Sequence, residues 1–205
     1  MKVVVLSGGI GSGKSTVCHI LEKYHGWPVY EADARVKELY TECPDLMPAI
    51  ESSLETSFRD GSGDFQPRLM ADRIFNDPEA LATVESIVFP VLMDDFSRWK
   101  GQFEDKSFVV LESATILEKP ALAGTGDFVV VVDAPVDVRL ERAMSRGGMS
   151  RENVVARMNS QILMNDISEG RIPDQVDYVI NNGGTLEQLK ENLLKCMDFL
   201  AEQKC

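Results

Sequence analysis

Histidine is nearly absent from this chain, with 2 in 205 residues, and the four cysteines (Cys18, Cys43, Cys196 and Cys205) are scattered with no C-x-x-C pair. That shortage argues against a structural zinc site and a disulfide framework, and a reducing cytosol fits best. No apolar run approaches the length of a transmembrane helix. Met1-Lys2 leads directly into a strand, so no signal peptide is expected. Cations are also scarce: 21 Lys and Arg against 33 Asp and Glu leave a formal net charge of −12. Such a field disfavours nucleic acid and anionic membrane as partners, and nothing implies an obligatory protein partner. What remains is 44% apolar and 26% charged, and long enough to bury a large core as one domain or one domain with insertions. An acidic chain that binds phosphate must gather its few cations locally, so the positions of Lys and Arg become informative.

The most informative stretch is Gly8-Gly9-Ile10-Gly11-Ser12-Gly13-Lys14-Ser15-Thr16. It follows Lys2-Val3-Val4-Val5-Leu6, which reads as a buried strand. It precedes Val17, Ile20, Leu21 and Tyr24, which fall on one helical face. Gly8, Gly13, Lys14 and Ser15 fit G-x-x-x-x-G-K-[ST], and the dinucleotide pattern G-x-G-x-x-G fails. The glycines let the backbone curl so that N–H groups face phosphate oxygens, and the new helix presents its positive end to the same anion. Lys14 is expected to neutralise the β- and γ-phosphates, and the Ser15 hydroxyl to ligand Mg²⁺.

Further along, Gly26 is a plausible helix C-cap, and Trp27-Pro28-Val29-Tyr30 reads as a second strand ending in Glu31-Ala32-Asp33. Asp33 is placed to sit beside the phosphate loop, as residues beyond strand ends do in open α/β sheets, or to cap a helix over Ala34–Tyr40, and the two are compatible. From Cys43 to about Asp105 no strand signal appears, and helical patterns dominate. Asp77-Pro78 starts one helix, Pro90 is expected to kink or break it, and Val91 to Phe103 suggest another. Phe108–Leu111 and Phe128–Val132 read as strands covered on both faces, and Val176–Ile180 as a last strand. Glu112 ends a strand, either as a Mg²⁺-orienting acid or as a solvated carboxylate. Arg139, Arg142 and Arg146 share one face of a helix and favour an anion there over an ordinary surface. Gly147-Gly148 hinges an arginine-bearing helix capped by Ser150, which looks like a lid. Thr185 with Gln188 reads as a capping box before a final helix striped by Leu186, Leu189, Leu193, Met197 and Leu200.

Taken in order, these residues resemble the dephospho-coenzyme A kinase family along nearly the whole chain. The likeness runs through Ser7 to Thr16, Glu31-Ala32-Asp33, Pro67-Arg68 and Arg73-Ile74-Phe75. It continues through Ser86 to Pro90, Leu117-Glu118, Leu140-Glu141-Arg142 with Arg146, then Arg157, Gln161 and Asp177 to Asn182. The resemblance implies transfer of the γ-phosphoryl of ATP to the ribose 3′-hydroxyl of dephospho-coenzyme A. It implies an α/β fold: a P-loop NTPase-type parallel five-stranded sheet flanked by helices, with a helical substrate-binding insertion and a lid. The core would be residues 1–43 and 107–205, the lid about 147–170, and the coenzyme-binding insertion 44–106.

Residue by residue, the resemblance makes Asp33 the base for the 3′-hydroxyl and Arg142 a phosphate contact from the lid side, with Lys14 the third catalytic group. ATP would be held by Gly9, Ile10, Gly11, Ser12, Gly13, Lys14, Ser15, Thr16, Arg142, Arg146 and Asn182, with Mg²⁺ on Ser15. Dephospho-coenzyme A would meet Asp33, Arg68, Glu118, Arg157 and Gln161. The chain departs from the family's habit at Glu31 (Asp), Phe89 (His), Glu112 (Asp) and Arg139 (Gln). With Asp33, Lys14 and Arg142 intact, an active cytoplasmic enzyme is expected. The rivals are another small-molecule or nucleoside kinase and, further off, a nucleotide-gated switch. For the switch, Asp60-Gly61-Ser62-Gly63 is the sole match, with no strand before it and no Asn-Lys-x-Asp anywhere.

Overall fold

A computed structural model describes residues 1–75, 77–119, 124–148 and 150–203. The apolar runs form five strands, Lys2–Ser7 (β1), Val29–Glu31 (β2), Phe108–Glu112 (β3), Phe128–Asp133 (β4) and Tyr178–Asn181 (β5). They make one parallel sheet in the order β2-β3-β1-β4-β5. Val109, Val110, Val131 and Val132 are completely buried, as strands covered on both faces require. The chain leaves β1 first toward β3 and β2 and later toward β4 and β5. The carboxyl end of β1 is therefore where strand order reverses, the place where open α/β sheets collect ligands.

The described residues divide into two compact units, Met1–Glu31 with Phe103–Cys205, and Ala32–Gln102. In the first, helices Lys14–His25 (α1) and Leu186–Glu202 (α9) cover one face of the sheet. Val17, Ile20 and Leu21 of α1 and Leu189, Leu193 and Leu200 of α9 pack there against Val4, Leu6, Val110, Val130 and Val132. Gly26 closes α1 in the left-handed region at φ 67°, and the Thr185–Gln188 capping box opens α9. Leu186, expected in the stripe, is instead 48% exposed and lines a surface cavity at the start of α9. Leu193→Ala should cost about 2–5 kcal/mol of stability in urea denaturation, the range for a buried leucine truncation. A loss below about 1 kcal/mol would show that α9 adds little to this core.

The same unit carries Val136–Ser145 (α6), Arg151–Ser160 (α7) and Ile162–Ser168 (α8). Ser150 caps α7 by accepting the Asn153 N–H, as expected. The single helix read from Val154 to Ile162 breaks at Gln161, whose backbone leaves the helical region and whose side chain is engaged elsewhere.

The second unit is helical: Ala32–Glu42 (α2), Leu46–Ser53 (α3), Pro67–Phe75 (α4) and Pro78–Lys100 (α5). The sequence places α2 with the sheet, yet its helical neighbours are α3 and α5. Arg35 of α2 bonds Asp95 of α5 through Nε and Nη2, and also pairs with Glu38 and Glu42, which together raise its pKa. Asp77 caps α5 through the N–H groups of Glu79 and Ala80, with Pro78 at the first helical position, while Asn76 lies outside the described residues. Pro90 neither breaks α5 nor starts a new helix. It sits on the exposed side, so the hydrogen bond it cannot donate is lost to solvent, and the stripe Ala80, Val84, Val88, Leu92 and Phe96 continues past it.

Cys18, Cys43 and Cys196 are free, and Cys205 lies outside the described residues. Burial raises the Cys18 thiol far above its usual range and pushes Cys196 up to about 12, so neither is a reactive thiolate. Among the described residues no helix is long and apolar enough to cross a membrane.

Candidate active site

The phosphate loop leaves β1 at Ser7 and enters α1 at Lys14. Gly13 stands at φ 97° and Gly11 at φ 77°, conformations that side-chain-bearing residues avoid. These two turns fold the loop over the start of α1. Three loop N–H groups are used inside the protein: Ile10 donates to Gln161 Oε1 at 3.0 Å, Ser12 to the Gly9 carbonyl, and Thr16 to the Gly13 carbonyl. The N–H groups of Gly13, Lys14 and Ser15 stand where α1 begins, before the helix offers acceptors to its own donors, and Gly11 precedes them in the same curl. Lys14 Nζ donates to the Gly8 carbonyl at 2.8 Å and lies 3.7 Å from Glu112 Oε1, both side chains being 12% exposed.

The loop opens onto a cavity of about 360 Å³. Lys14, Ser15, Glu118, Arg146, Arg157 and Gln161 line it, together with loop residues Gly9, Ile10, Gly11 and Gly13. Ten of the residues singled out from sequence thus meet in one place, three of them cations in a chain of net charge −12. Ala114, Thr115 and Ser160 complete the wall, and nothing in their pattern marks them beforehand. Loss of water from around the Glu118 carboxyl raises its pKa, against the pull of Lys119.

Arg142, Asn182 and Thr16 occupy a second cavity of about 290 Å³, which shares Gly13 and Arg146 with the first. Arg142 Nη1 donates to the Asn182 carbonyl at 2.8 Å, and Asn182 Nδ2 donates to the Ser12 carbonyl at 2.7 Å. Asn182 therefore braces the loop with its side chain and holds Arg142 with its backbone. Ser12, expected to contact ATP, is fully buried, and its N–H and carbonyl are already bonded to Gly9 and Asn182, so it shapes the loop from within.

Arg139 departs from expectation. Helical spacing groups it with Arg142 and Arg146 as an anion-binding face, but it is 0% exposed and its guanidinium lies behind the loop. It donates to the Ile10 carbonyl, Ser168 Oγ and Gln161 Oε1 at 3.2, 3.3 and 3.4 Å. Burial lowers its pKa and Asp133, 4.0 Å away, opposes that shift. Gln161, expected to meet substrate, spends its amide oxygen on Ile10 and Arg139 while still lining the cavity.

Asp33 and Arg68 belong to the second unit. Asp33 is exposed in the first turn of α2, inside the helix rather than at its cap, because α2 already begins at Ala32. Arg68 is exposed in the first turn of α4. Asp33 follows Glu31 by two residues, and Glu31 pairs in register with Glu112 at the tip of β3.

The fold is shared with solved kinases. A shikimate kinase from Acinetobacter baumannii superposes with a TM-score of 0.54 at 16% identity, covering 100% of this chain and 95% of that one. A dephospho-CoA kinase from Campylobacter jejuni gives 0.60 at 21% identity over 99% and 98% of the two chains. These two show the fold. A Thermus thermophilus protein, TT1252, superposes with a TM-score of 0.81 at 30% identity over 98% and 97%. In sequence, the dephospho-CoA kinase of Staphylococcus aureus is 30% identical over 197 residues, 96% of this chain and 92% of the relative. A family model described as dephospho-CoA kinase matches residues 2–188. Agreement over that span, far beyond the phosphate loop that all such kinases share, means that the chain belongs to the dephospho-CoA kinase family.

Proposed function

We propose that this kinase carries out the last step of coenzyme A synthesis with Lys14, Arg142 and Asp33 as its principal catalytic groups. The family's reaction moves the γ-phosphoryl of ATP to the ribose 3′-hydroxyl of dephospho-CoA. Its transition state is loose, so the protein chiefly positions the reactants and neutralises charge. The observation that carries this reading is the cavity at the loop, where Lys14, Arg146 and Arg157 converge on N–H groups at the start of α1.

In this reading the N–H groups of Gly11, Gly13, Lys14 and Ser15 cradle the β-phosphate, and Lys14 leaves the Gly8 carbonyl to span the β- and γ-phosphates. The base and ribose of ATP take the second cavity, with Arg142 and Asn182 on one side and Leu186 on another. Glu118, Arg157 and Gln161 face the acceptor from the first cavity, and Asp33 and Arg68 keep the acceptor roles that the family resemblance gives them.

The residues suit Mg²⁺. Among the described residues no group of three or more His, Cys, Asp or Glu could enclose a metal. The Ser15 hydroxyl and the Glu112 carboxylate next to Lys14 are a sparse oxygen set. A cation that keeps most of its water and leans on phosphate needs no more. Bound there with ATP, it would supply charge neutralisation at the phosphates. The net charge of −12 disfavours nucleic acid and anionic membrane as partners, and the scattered cysteines fit a reducing cytoplasm.

Acceptor-dependent ADP release tests the assignment. Dephospho-CoA should stimulate ADP formation in the presence of Mg²⁺, whereas nucleosides and shikimate should not. Slow ADP release indifferent to every acceptor would favour a nucleotide switch instead.

A further inference from the structure

A glycine-rich loop is costly to hold in one shape, because its residues have the most freedom to lose. This loop is held from behind. Ile10 is fixed at both its polar backbone groups: its N–H goes to Gln161 Oε1 at 3.0 Å and its carbonyl accepts Arg139 Nε at 3.2 Å. Arg139 also reaches that same Gln161 oxygen and Ser168 Oγ, and Ser168 Oγ is 2.8 Å from Asp133 Oδ1. One fully buried guanidinium thus touches the loop, the break between α7 and α8, and α8 itself.

Gly9 supplies an independent sign of the same arrangement. Its φ is not among the positive ones, so its backbone does not demand glycine. Yet a Cβ there would lie 2.0 Å from Arg139 Nη2 and 2.6 Å from Arg139 Cζ. The tip of an arginine ordinarily swings aside from such a contact. This one is enclosed and hydrogen-bonded on several sides, so it has nowhere to go. Across the loop, a Cβ on Gly11 would meet the Arg139 carbonyl oxygen at 2.1 Å. The loop therefore lies directly on α6 at this residue.

We propose that Arg139 is a positioning residue for the phosphate loop: acting through the Ile10 carbonyl and Gln161, it fixes the loop's curl and ties it to the α7–α8 segment, and Gly9 is glycine to make room for it. The inference rests on the reading of this loop as the triphosphate site. Its consequence is specific. Loss of Arg139 weakens the grip on the phosphates rather than the chemistry, since Arg139 faces the back of the loop and touches no reacting atom.

The test is a double-mutant cycle of Gly9→Ala and Arg139→Gln, read by the dissociation constants of ATP and inorganic tripolyphosphate and by kcat at saturating ATP. Each single variant should weaken both ligands about tenfold, with kcat falling less than about threefold. In the Arg139→Gln background, where the guanidinium is gone, adding Gly9→Ala should cost less than about threefold. Arg139→Lys, which keeps the buried cation, should restore part of the affinity and keeps the question answerable should Arg139→Gln fold poorly. Strictly multiplicative effects would overturn the proposal, as would a lowered melting temperature with unchanged tripolyphosphate affinity in both Arg139 variants. Lys14→Ala is the control: if it too leaves tripolyphosphate affinity unchanged, the triphosphate reading of the loop fails. If it alone loses affinity, only the role of Arg139 fails.

Discussion

Lys14→Ala will reduce ATP-dependent phosphorylation of dephospho-CoA to background in a coupled ADP assay, a loss on the order of 10³-fold or more. Removing a single preorganised neutral donor already costs about 10²–10³ where charge develops in a water-poor site, and here a full cation is removed. Without nucleotide, Lys14 is held in readiness by the Gly8 carbonyl at 2.8 Å and by Glu112 at 3.7 Å. Those contacts are local to the site, and the core beneath α1 is built by Val17, Ile20 and Leu21 instead. The variant should therefore keep the wild-type circular dichroism spectrum, so that lost activity is not lost fold. Turnover within tenfold of wild type would contradict the phosphate-loop assignment, since Arg146 and Arg157 would then be sufficient on their own.

The sheet and the loop were legible because their signals are local. Val3-Val4-Val5 and Val129-Val130-Val131-Val132 can hardly be anything but strands covered on both faces, and Gly13-Lys14-Ser15 is tied to its chemistry by spacing alone. Capping was legible for the same reason at Asp77-Pro78 and at Thr185 with Gln188. What failed was long-range. Helical periodicity places Arg139 with Arg142 and Arg146, but it carries no information about what that face packs on, and the loop itself proved to be the neighbour. Gly9 was the available hint, a glycine that the motif does not require and that the backbone there does not need. Pro90 misled because a proline's cost depends on where its missing hydrogen bond would lie, and at an exposed position that cost is bearable in a helix anchored by Val84, Val88, Leu92 and Phe96.

The gathering of cations shows a similar limit. A net charge of −12 implied that any phosphate site must concentrate Lys and Arg, and Lys14, Arg146 and Arg157 do meet at one cavity. Which of the 21 basic residues would do so depended on the left-handed turn at Gly147-Gly148 and on the turn after β4, neither of which periodicity can orient. Arg142 lines the neighbouring cavity, where its guanidinium is held by the Asn182 carbonyl.

Asp33→Asn will leave the protein folded and able to bind ATP, yet lower turnover by about 10²–10⁴, the usual contribution of a positioned general base. Asparagine keeps the size and shape of the side chain and removes only its capacity to take the proton of an alcohol. A purely structural role predicts a different result. Asp33 lies in the first turn of α2, where a carboxylate gains about 0.3–1 kcal/mol from the helix dipole. Were that its whole purpose, the amide variant would melt at a slightly lower temperature and keep its kcat. The two roles therefore separate on one pair of measurements, kcat at saturating ATP and dephospho-CoA against thermal stability. Glu31, two residues earlier, pairs in register with Glu112 at the strand tip that Lys14 contacts. Glu31→Gln provides the comparison, because it removes a carboxylate from the same strand end without touching the proposed base. Its effect on kcat should stay within about tenfold, well short of the loss expected for a general base. A kcat for Asp33→Asn within threefold of wild type would withdraw Asp33 from the chemistry, and a larger loss from Glu31→Gln than from Asp33→Asn would transfer the role of base to Glu31.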